Sequence, residues 1–231
     1  MKEAGISRDE EVERLGRLDS CVVSDALDAL GLDGVLTGIA PRWEGARAFG
    51  RAVTMELAEG SAPADLPKVH LGVRAISRCG PGDVIVIGNG GRVGMGSWGG
   101  LLSVGALAQG AGGVVTDGAC RDVDEARDLH FPVFARGATA RTARGRVHEV
   151  SCGEEIGIGS VMVRTGDLVL ADGSAAVVIA AGKADEVLTK AEEIMAKETA
   201  MVDEIRTGAS LATVLGVRYE DMLSGTGEKR A

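Results

Sequence analysis

The sequence predicts an α/β fold, and three observations support this class. Four consecutive branched aliphatic residues, 84–87, lie between turns and are predicted as a buried strand, and a second buried strand is predicted over 113–116. A helical segment, 97–109, lies between them, so strand, helix and strand form a βαβ unit with a right-handed crossover. The 35 glycines are dispersed among Val, Ile, Leu and Ala, which is typical of tight strand–helix turns and not of a flexible linker.

Before the βαβ unit, the chain is predicted to contain three helices and a stretch of extended pieces. Apolar residues recur at helical spacing up to Leu18, and Gly31 is a stop signal for the second helix. Glycine and proline repeatedly interrupt the segment that follows, which favours extended structure. The predicted elements are a helix ending near residue 18, helices over 24–30 and 68–78, extended pieces within 36–58 and a turn over 79–83.

After the βαβ unit, a turn is predicted at Asp117-Gly118, and a long carboxy-terminal helix is predicted to end at Gly208. The other predicted elements are a helix over 123–129, strands over 133–135, 160–163, 167–171 and 176–179, and the long helix over 185–207. No linker, repeat or low-complexity block interrupts the sequence. Residues 1–231 are therefore predicted to form a single domain.

Composition and charge argue against several classes of function. The net charge is −9, whereas a nucleic-acid surface needs a basic face that displaces counterions, so we expect no nucleic-acid partner. The sequence has no apolar run of eighteen residues and no apolar leader segment, so we expect no membrane partner. Four widely separated cysteines without a C-x-x-C pair fit a reducing compartment, and the expected location is cytoplasmic.

The most informative feature begins at Gly100 and reads glycine, twenty intervening residues, Arg121-Asp122 and, after two more residues, Glu125. If a helix begins at residues 99–102, its first amides have no acceptor within the helix and point outward. A carboxylate placed there would receive these donors and the positive end of the helix dipole. The alternative is that the glycines only allow the preceding loop to pack tightly.

Arg121 and Asp122 follow the second buried strand, and ligands of open α/β sheets bind beyond the carboxyl ends of strands. Arg121 is a candidate for gripping the oxo and carboxylate oxygens of a small 2-oxo acid. Asp122 is a candidate ligand for Mg²⁺ or Mn²⁺, with Asp124 and Glu125 orienting the water shell. The alternative is a surface Arg–Asp pair that caps the next helix.

Two further groups of polar residues are candidates for the site. Glu198 falls on the apolar stripe of the carboxy-terminal helix, where a carboxylate must be paired or bound to a metal. A salt bridge within an interface would explain it equally. Arg141, Arg144 and Arg146 form a basic cluster that could meet the far end of an acidic substrate, although a solvated loop is the alternative. Residues recognising that end are expected in the loops over 59–68 or 141–148.

These motifs resemble the class II pyruvate aldolases, the 4-hydroxy-4-methyl-2-oxoglutarate/4-carboxy-4-hydroxy-2-oxoadipate aldolases. This family shares its fold with the regulator of ribonuclease activity A. The pattern G-x20-R-D-x2-E is preceded by SWGGLL and followed by PVFARG, as in the family. The resemblance covers most of the chain, because three other segments fit the family pattern: SDALDALG (24–31), GIAP (38–41) and VRTGDLVLAD (163–172).

The resemblance implies an α/β/β/α sandwich that assembles as a homotrimer or homohexamer with sites between subunits. Asp122 would be the direct metal ligand, Arg121 would bind the pyruvyl group and stabilise the enolate, and the amides of Leu101 and Leu102 would hold its carboxylate. Glu198 matches a carboxylate that an adjacent subunit contributes in the aldolase branch. Because Glu125 and Glu198 are both present, the enzyme branch is favoured over the regulator branch.

The expected activity is metal-dependent cleavage of a 4-hydroxy-2-oxo diacid to pyruvate, accompanied by decarboxylation of oxaloacetate. Metal and arginine would together stabilise the enolate that either reaction forms. Two alternatives stay open at this point. One is a related lyase that acts on another oxo or hydroxy acid, and the other is a non-catalytic regulator that binds an endoribonuclease.

Overall fold

The computed structural model describes residues 8–63 and 70–215, and these residues form a mixed α/β structure dominated by one large sheet. The helices are α1 (Arg8–Leu15), α2 (Ser20–Ala29), α3 (Val73–Arg78), α4 (Gly100–Gln109), α5 (Val123–Asp128), α6 (Ala184–Arg206) and α7 (Leu211–Val214). The strands are β1 (Ala40–Pro41), β2 (Ala48–Glu59), β3 (Val84–Gly88), β4 (Gly96–Trp98), β5 (Gly113–Cys120), β6 (Val133–Ala138), β7 (Val147–Cys152), β8 (Ile156–Ile158), β9 (Val161–Val163), β10 (Leu168–Ala171) and β11 (Ala176–Ile179).

Within the described residues the large sheet has nine strands, with the central order β1-β6-β5-β3-β2-β10-β11. Its middle strands β6, β5, β3 and β2 are parallel, and β10 and β11 continue it in antiparallel fashion. Strand β4 pairs with β5, and β7 pairs with β2. Because α4 connects the parallel pair β3 and β5, the predicted βαβ unit is confirmed.

Three apolar clusters show that the elements stack in the order α/β/β/α, as expected. The first lies between the parallel strands and helices α3, α4 and α5, for example where Ala106 joins Ile85 and Val114. The second lies between the parallel strands and β10–β11, where Val86 and Val169 belong to the same cluster. The third packs β10 and β11 against α1, α2 and α6. Both faces of β3 and β5 are covered, because every residue of the two strands is buried, and this explains why polar and apolar residues do not alternate along them.

Several predicted boundaries are wrong because capping and pairing outweigh local sequence signals. Helix α2 begins four residues before the prediction, since the Asp19 side chain accepts a hydrogen bond from the Val22 amide at 2.9 Å. Strand β2 is one continuous element of twelve residues and not a set of pieces. Gly50 sits inside it because a side chain there would meet the Gly82 carbonyl oxygen at 2.1 Å.

The segments beside the predicted site also differ from expectation. The helix predicted over 97–109 is shorter than expected, because residues 97 and 98 belong to β4. Helix α4 begins at Gly100, within the predicted helix start at residues 99–102. Strand β5 continues to Cys120, and Asp117-Gly118 is therefore part of a strand and not a turn. Helix α3 covers only the second half of the helix predicted over 68–78, of which residues 68 and 69 lie outside the described residues.

The long helix α6 confirms the prediction over 185–207 to within one residue at each end. Its apolar stripe is buried at Val187, Ala191 and Ile194 and becomes exposed towards Ile205. The carboxy-terminal half of α6 therefore has fewer contacts with the rest of the chain. Among the described residues, none of the helices combines the length and the apolar character needed to cross a membrane.

Asp172 ties the end of β10 to the start of α2, and we predict that its charge stabilises the fold. Its carboxylate accepts hydrogen bonds from the Ser20 amide (2.8 Å), the Ser20 hydroxyl (2.6 Å) and the Ser174 amide (3.0 Å). Burial raises the pKa of Asp172, but the bonds from Ser20 and Ser174 outweigh burial and leave the pKa below its usual value. The stabilisation is therefore present near neutral pH and is lost as the pH falls below about 4.

Asp172→Asn should lower the free energy of unfolding at pH 7 by roughly 1–3 kcal/mol. The NH₂ group of asparagine would then face the donors of Ser20 and Ser174, whose hydrogen bonds the carboxylate now accepts. The measurement is urea unfolding at pH 7 and at several values down to pH 3. Asp128→Asn is the control, since the Asp128 side chain is 70% exposed and pairs only on the surface. Equal loss of stability below pH 4 in the wild type and in Asp172→Asn would contradict this role.

Candidate active site

A cleft of about 470 Å³ opens at the carboxyl ends of β4 and β5. It is lined by residues of four regions: the segments near Ser61 and His70, the β4–α4 junction, the residues after β5, and the β6–β7 loop with the start of β7. Its walls include the predicted residues Gly100, Leu101, Leu102, Arg121 and Asp122. The structure therefore brings these five residues together.

Parallel pairing of β4 and β5 explains why two distant segments meet. Gly96 lies opposite Ala119 and Trp98 lies opposite Cys120, so both strands end at the same edge of the sheet. The Arg121 amide donates to the Trp98 carbonyl oxygen at 2.9 Å and extends this pairing by one residue. The start of α4 and the Arg121-Asp122 pair are therefore positioned by the sheet itself.

The carboxylate of Asp122 joins the two segments directly. Its Oδ2 accepts a hydrogen bond from the Gly100 amide, the first of α4, at 2.9 Å. Asp122 adopts the left-handed conformation (φ 57°, ψ 44°), which directs the chain into α5. A side chain at Gly99 would come within 2.9 Å of the same Oδ2, so glycine at 99 leaves room for this carboxylate.

The first turn of α4 presents two amides that no described group satisfies. The first intrahelical hydrogen bond runs from the Ser103 amide to the Gly99 carbonyl oxygen at 3.1 Å. The Gly100 amide is taken by Asp122, whereas the amides of Leu101 and Leu102 have no acceptor among the described residues. Together with the positive end of the helix dipole, these two donors suit the carboxylate of a ligand.

The guanidinium of Arg121 also has unused hydrogen-bonding capacity. Its side chain lies across Gly96, where an added Cβ would meet Cγ at 2.7 Å and Cδ at 2.8 Å. Its Nε is buried and has no acceptor among the described residues. Buried donors without a partner are rare in folded proteins. An oxygen-bearing ligand in the cleft would supply the missing acceptor.

The other predicted carboxylates lie outside the cleft walls. Glu125 lies beside the start of α4, because a Cβ added at Gly100 would be 1.8 Å from its Oε2. Asp124 forms an exposed ion pair with Arg127 at 2.7 Å. Glu198 is half-buried on α6, where burial raises its pKa and the charges of Asp25 and Asp19 raise it further. Within this chain Glu198 is not part of the cleft, and its contribution from a neighbouring subunit stays a prediction.

The residues present fit a hard divalent cation with few ligands from this chain. The second oxygen of Asp122, Oδ1, has no donor among the described residues, and the Glu125 carboxylate also lies against the start of α4. No group of three or more His, Cys, Asp or Glu side chains converges on a possible metal position in the described part of the chain. A cation held here would keep most of its coordination to water and substrate, as Mg²⁺ does.

The outer wall of the cleft consists of the segment from His70 to Arg74, the β6–β7 loop and the start of β7. Sequence reasoning missed three of its polar residues, His70, Arg74 and Glu149, whereas His148 lies at the end of the predicted segment 141–148. Glu149 accepts hydrogen bonds from Arg74 Nε at 2.5 Å and from the Gly72 amide at 3.1 Å, which ties α3 to β7. Of the predicted basic cluster, Arg144 lines the cleft, whereas Arg141 and Arg146 do not.

The fold and the cleft together define an α/β/β/α protein in which a helix start with two amides unsatisfied among the described residues lies beside a carboxylate. A family model described as RraA-like (Aldolase/RraA) matches residues 20–178. The chain belongs to this RraA-like family. It is 34% identical over 201 residues to a protein of Halalkalibacterium halodurans named "Putative 4-hydroxy-4-methyl-2-oxoglutarate aldolase", and the match covers 85% of this chain and 86% of that protein.

Two other relatives show the breadth of the family. Protein DlpA of Legionella pneumophila is 30% identical over 226 residues, which is 95% of this chain, but the chain spans only 35% of the length of DlpA. The structure of RraAS2 from Streptomyces coelicolor, described as an unusual member of the RNase ES inhibitor RraA protein family, superposes with a TM-score of 0.72 at 25% identity. That match covers 87% of this chain and 96% of RraAS2.

Gly96→Ala should weaken the binding of pyruvate by roughly tenfold to a hundredfold, because the new methyl group would displace the Arg121 side chain. The measurement is isothermal titration calorimetry with pyruvate and Mg²⁺. Gly94→Ala is the matched control, since a methyl group at Gly94 would meet nothing within 4 Å. Equal pyruvate affinity in both variants would show that the placement of Arg121 does not matter for binding.

Proposed function

We propose that this chain is a divalent-cation-dependent lyase that cleaves a 4-hydroxy-2-oxo diacid and releases pyruvate. Oxaloacetate decarboxylation is the expected side activity. One observation carries the proposal: Arg121, whose Nε has no acceptor among the described residues, lines one cleft together with the equally unsatisfied amides of Leu101 and Leu102, next to the carboxylate of Asp122. These groups complement a 2-oxo acid, which has a carboxylate and an adjacent oxo group.

Each residue has a defined task in the proposed reaction. The amides of Leu101 and Leu102 bind the carboxylate next to the oxo group and orient the substrate. Arg121 donates hydrogen bonds to the oxo oxygen, and these strengthen as negative charge develops on it. Asp122, with Glu125 near it, would hold a Mg²⁺ or Mn²⁺ ion, which when bound polarises the 2-oxo group as a Lewis acid.

In both reactions the electron pair of the broken carbon–carbon bond leaves a negative charge on the C2 oxygen. In aldol cleavage the C4 hydroxyl loses its proton to a water that acts as base, a carbonyl forms at C4, and the C3–C4 bond breaks. Its electron pair forms a C2–C3 double bond and leaves the negative charge on the C2 oxygen near Arg121. Protonation of C3 then gives pyruvate. In oxaloacetate the bond to the C4 carboxylate breaks instead, and carbon dioxide leaves.

The named relatives support the lyase, and they also support a regulator as an alternative. The relative from H. halodurans carries an aldolase name, which favours the lyase. The likeness to RraAS2 favours the second candidate, a regulator that binds an endoribonuclease without catalysis. A related lyase acting on another oxo or hydroxy acid would use the same donors. Oxaloacetate loss measured with Mg²⁺ and with EDTA separates the lyases from the regulator.

Asp122→Asn and Arg121→Ala should each lower the turnover of 4-hydroxy-4-methyl-2-oxoglutarate by at least about a hundredfold while the fold is retained. Asparagine keeps an oxygen that can accept from the Gly100 amide but removes the charge needed for a cation. Pyruvate release is followed with lactate dehydrogenase and NADH, and circular dichroism monitors the fold.

The matched control for this test is Asp128→Asn, which removes one negative charge from the exposed surface of α5. It should keep the wild-type rate. Near-normal cleavage by Asp122→Asn or Arg121→Ala, after metal removal and readdition, would refute the assignment of the site. A wild-type protein that cleaves no 2-oxo acid and captures an endoribonuclease would support the regulator instead.

We further propose that the protein forms a homotrimer or homohexamer in which Glu198 of one subunit completes the cleft of the next. Support comes from the exposed second half of α6, which carries Glu198, and from the exposed Leu101 at the cleft mouth (80% exposed). If a neighbouring subunit covers these surfaces, the exposed apolar residues of α6 and Leu101 become buried in the interface. Glu198 can then reach the cleft of that neighbour, although it lies outside the cleft of its own chain.

Mixing two inactive variants tests whether sites are shared. Asp122→Ala and Glu198→Ala subunits, mixed after reversible dissociation, should regain activity at roughly a quarter of the sites, because some interfaces then combine intact residues. Mixing Asp122→Ala with Arg121→Ala is the control, since both residues belong to one chain and no intact site can form. Full activity of Glu198→Ala alone would contradict its role.

A further inference from the structure

The cleft has more space than the pyruvyl half of a substrate requires. Pyruvate has six non-hydrogen atoms, whereas 470 Å³ accommodates on the order of fifteen water-sized groups at about 30 Å³ each. The amides of Leu101 and Leu102 and the guanidinium of Arg121 account for one end of a ligand. The β6–β7 loop and the start of β7 line the remaining space, so their chemistry decides what else can bind.

Charge pairing leaves one arginine of this outer wall available. The acidic residues that line the cleft among the described residues are Asp122 and Glu149. Glu149 is occupied by Arg74 and by the Gly72 amide, so the Arg74 charge is neutralised locally. Asp122 accepts from Gly100. Arg144 has no acidic partner among the described residues, which makes it the outer wall's unpaired fixed cation.

The loop that carries Arg144 is held in place by its own backbone bonds. At its start, the Arg141 carbonyl oxygen accepts from the Gly96 amide at 2.9 Å, beside the Arg121 side chain. Within the loop, the Arg144 amide donates to Thr142 Oγ1 at 3.3 Å, and the Arg146 amide donates to the Ala143 carbonyl oxygen at 2.8 Å. The loop is therefore anchored at Gly96, beside the Arg121 side chain, and runs from there to the outer wall. Its internal hydrogen bonds fix the turn that carries Arg144.

His148 also lines the outer wall, and its imidazole adds no negative charge that would neutralise Arg144. His148 lines the cleft and its Nδ1 lies 3.2 Å from the Gly60 carbonyl oxygen, which orients the imidazole ring. Two arginines without an acidic partner among the described residues, Arg121 and Arg144, thus line one cleft in a protein whose net charge is −9. Such an arrangement suits a ligand with two separate anionic groups.

We propose that Arg144 forms a second anion subsite, which selects 2-oxo acids that carry a carboxylate at the end remote from the oxo group. This inference rests on the proposed function, because it assumes that the 2-oxo acid end of the ligand binds at Arg121. Arg144 is then a specificity-determining residue: it contributes to the binding of diacids and not to bond cleavage.

The test compares two ligands of equal chain length, 2-oxoglutarate and 2-oxopentanoate, which differ only in the remote carboxylate. Their dissociation constants are measured by calorimetry with Mg²⁺ at one low ionic strength, because salt screens exposed charges. The wild type should prefer 2-oxoglutarate by roughly tenfold to a hundredfold, the range of a hydrogen bond to a charged group. Arg144→Gln should reduce this preference to about twofold or less.

Arg141→Gln is the matched control, since it removes the same charge from the same loop but from a residue outside the cleft lining. It should keep the wild-type preference. Equal affinity of the wild type for both ligands, or equal loss of preference in both variants, would overturn the subsite. Because binding is measured without turnover, a protein that prefers 2-oxoglutarate but cleaves no substrate would refute the lyase and retain the subsite.

Discussion

The hydrogen bond from the Gly100 amide to Asp122 Oδ2 is the contact on which the site depends. It joins the first residue of α4 to the residue that precedes α5, and these segments are 22 positions apart. Because Asp122 takes only one amide of the helix start, the next two remain available for a ligand. The other oxygen of the same carboxylate has no donor among the described residues and is the one that the proposed function assigns to a cation. One side chain therefore organises both halves of the proposed site.

The core beneath the cleft keeps this contact in place. Trp98 Nε1 donates to Ser103 Oγ at 2.9 Å, and the Trp98 ring stacks on Phe131 with 6.3 Å between ring centroids. The Ser97 hydroxyl bonds with Thr116 Oγ1 at 2.9 Å, which links β4 to β5 below the site. These buried bonds fix the strand ends that carry Arg121 and Gly100, so the donors are oriented before a ligand arrives. Preorganised donors of this kind favour charge that develops during a reaction.

Much of this arrangement was predictable from local sequence signals. The apolar runs of β3 and β5 are too uniform for exposed structure, and the spacing from Gly100 to Arg121 identified the residues that meet. What the sequence could not show depends on pairing over long distances. The extension of β5 to Cys120 follows from its partners β4 and β6, and the unbroken β2 follows from pairing with three other strands of the sheet, β3, β7 and β10. The Arg74–Glu149 contact joins residues 75 positions apart and has no local signature.

A crystal structure with Mg²⁺ and pyruvate bound tests the central claim most directly. We predict that the pyruvate carboxylate accepts hydrogen bonds from the amides of Leu101 and Leu102, that Arg121 Nε or its terminal nitrogens contact the ligand oxygens, and that Asp122 is the protein ligand to the cation. Pyruvate bound elsewhere, or a cation held without Asp122, would contradict the account.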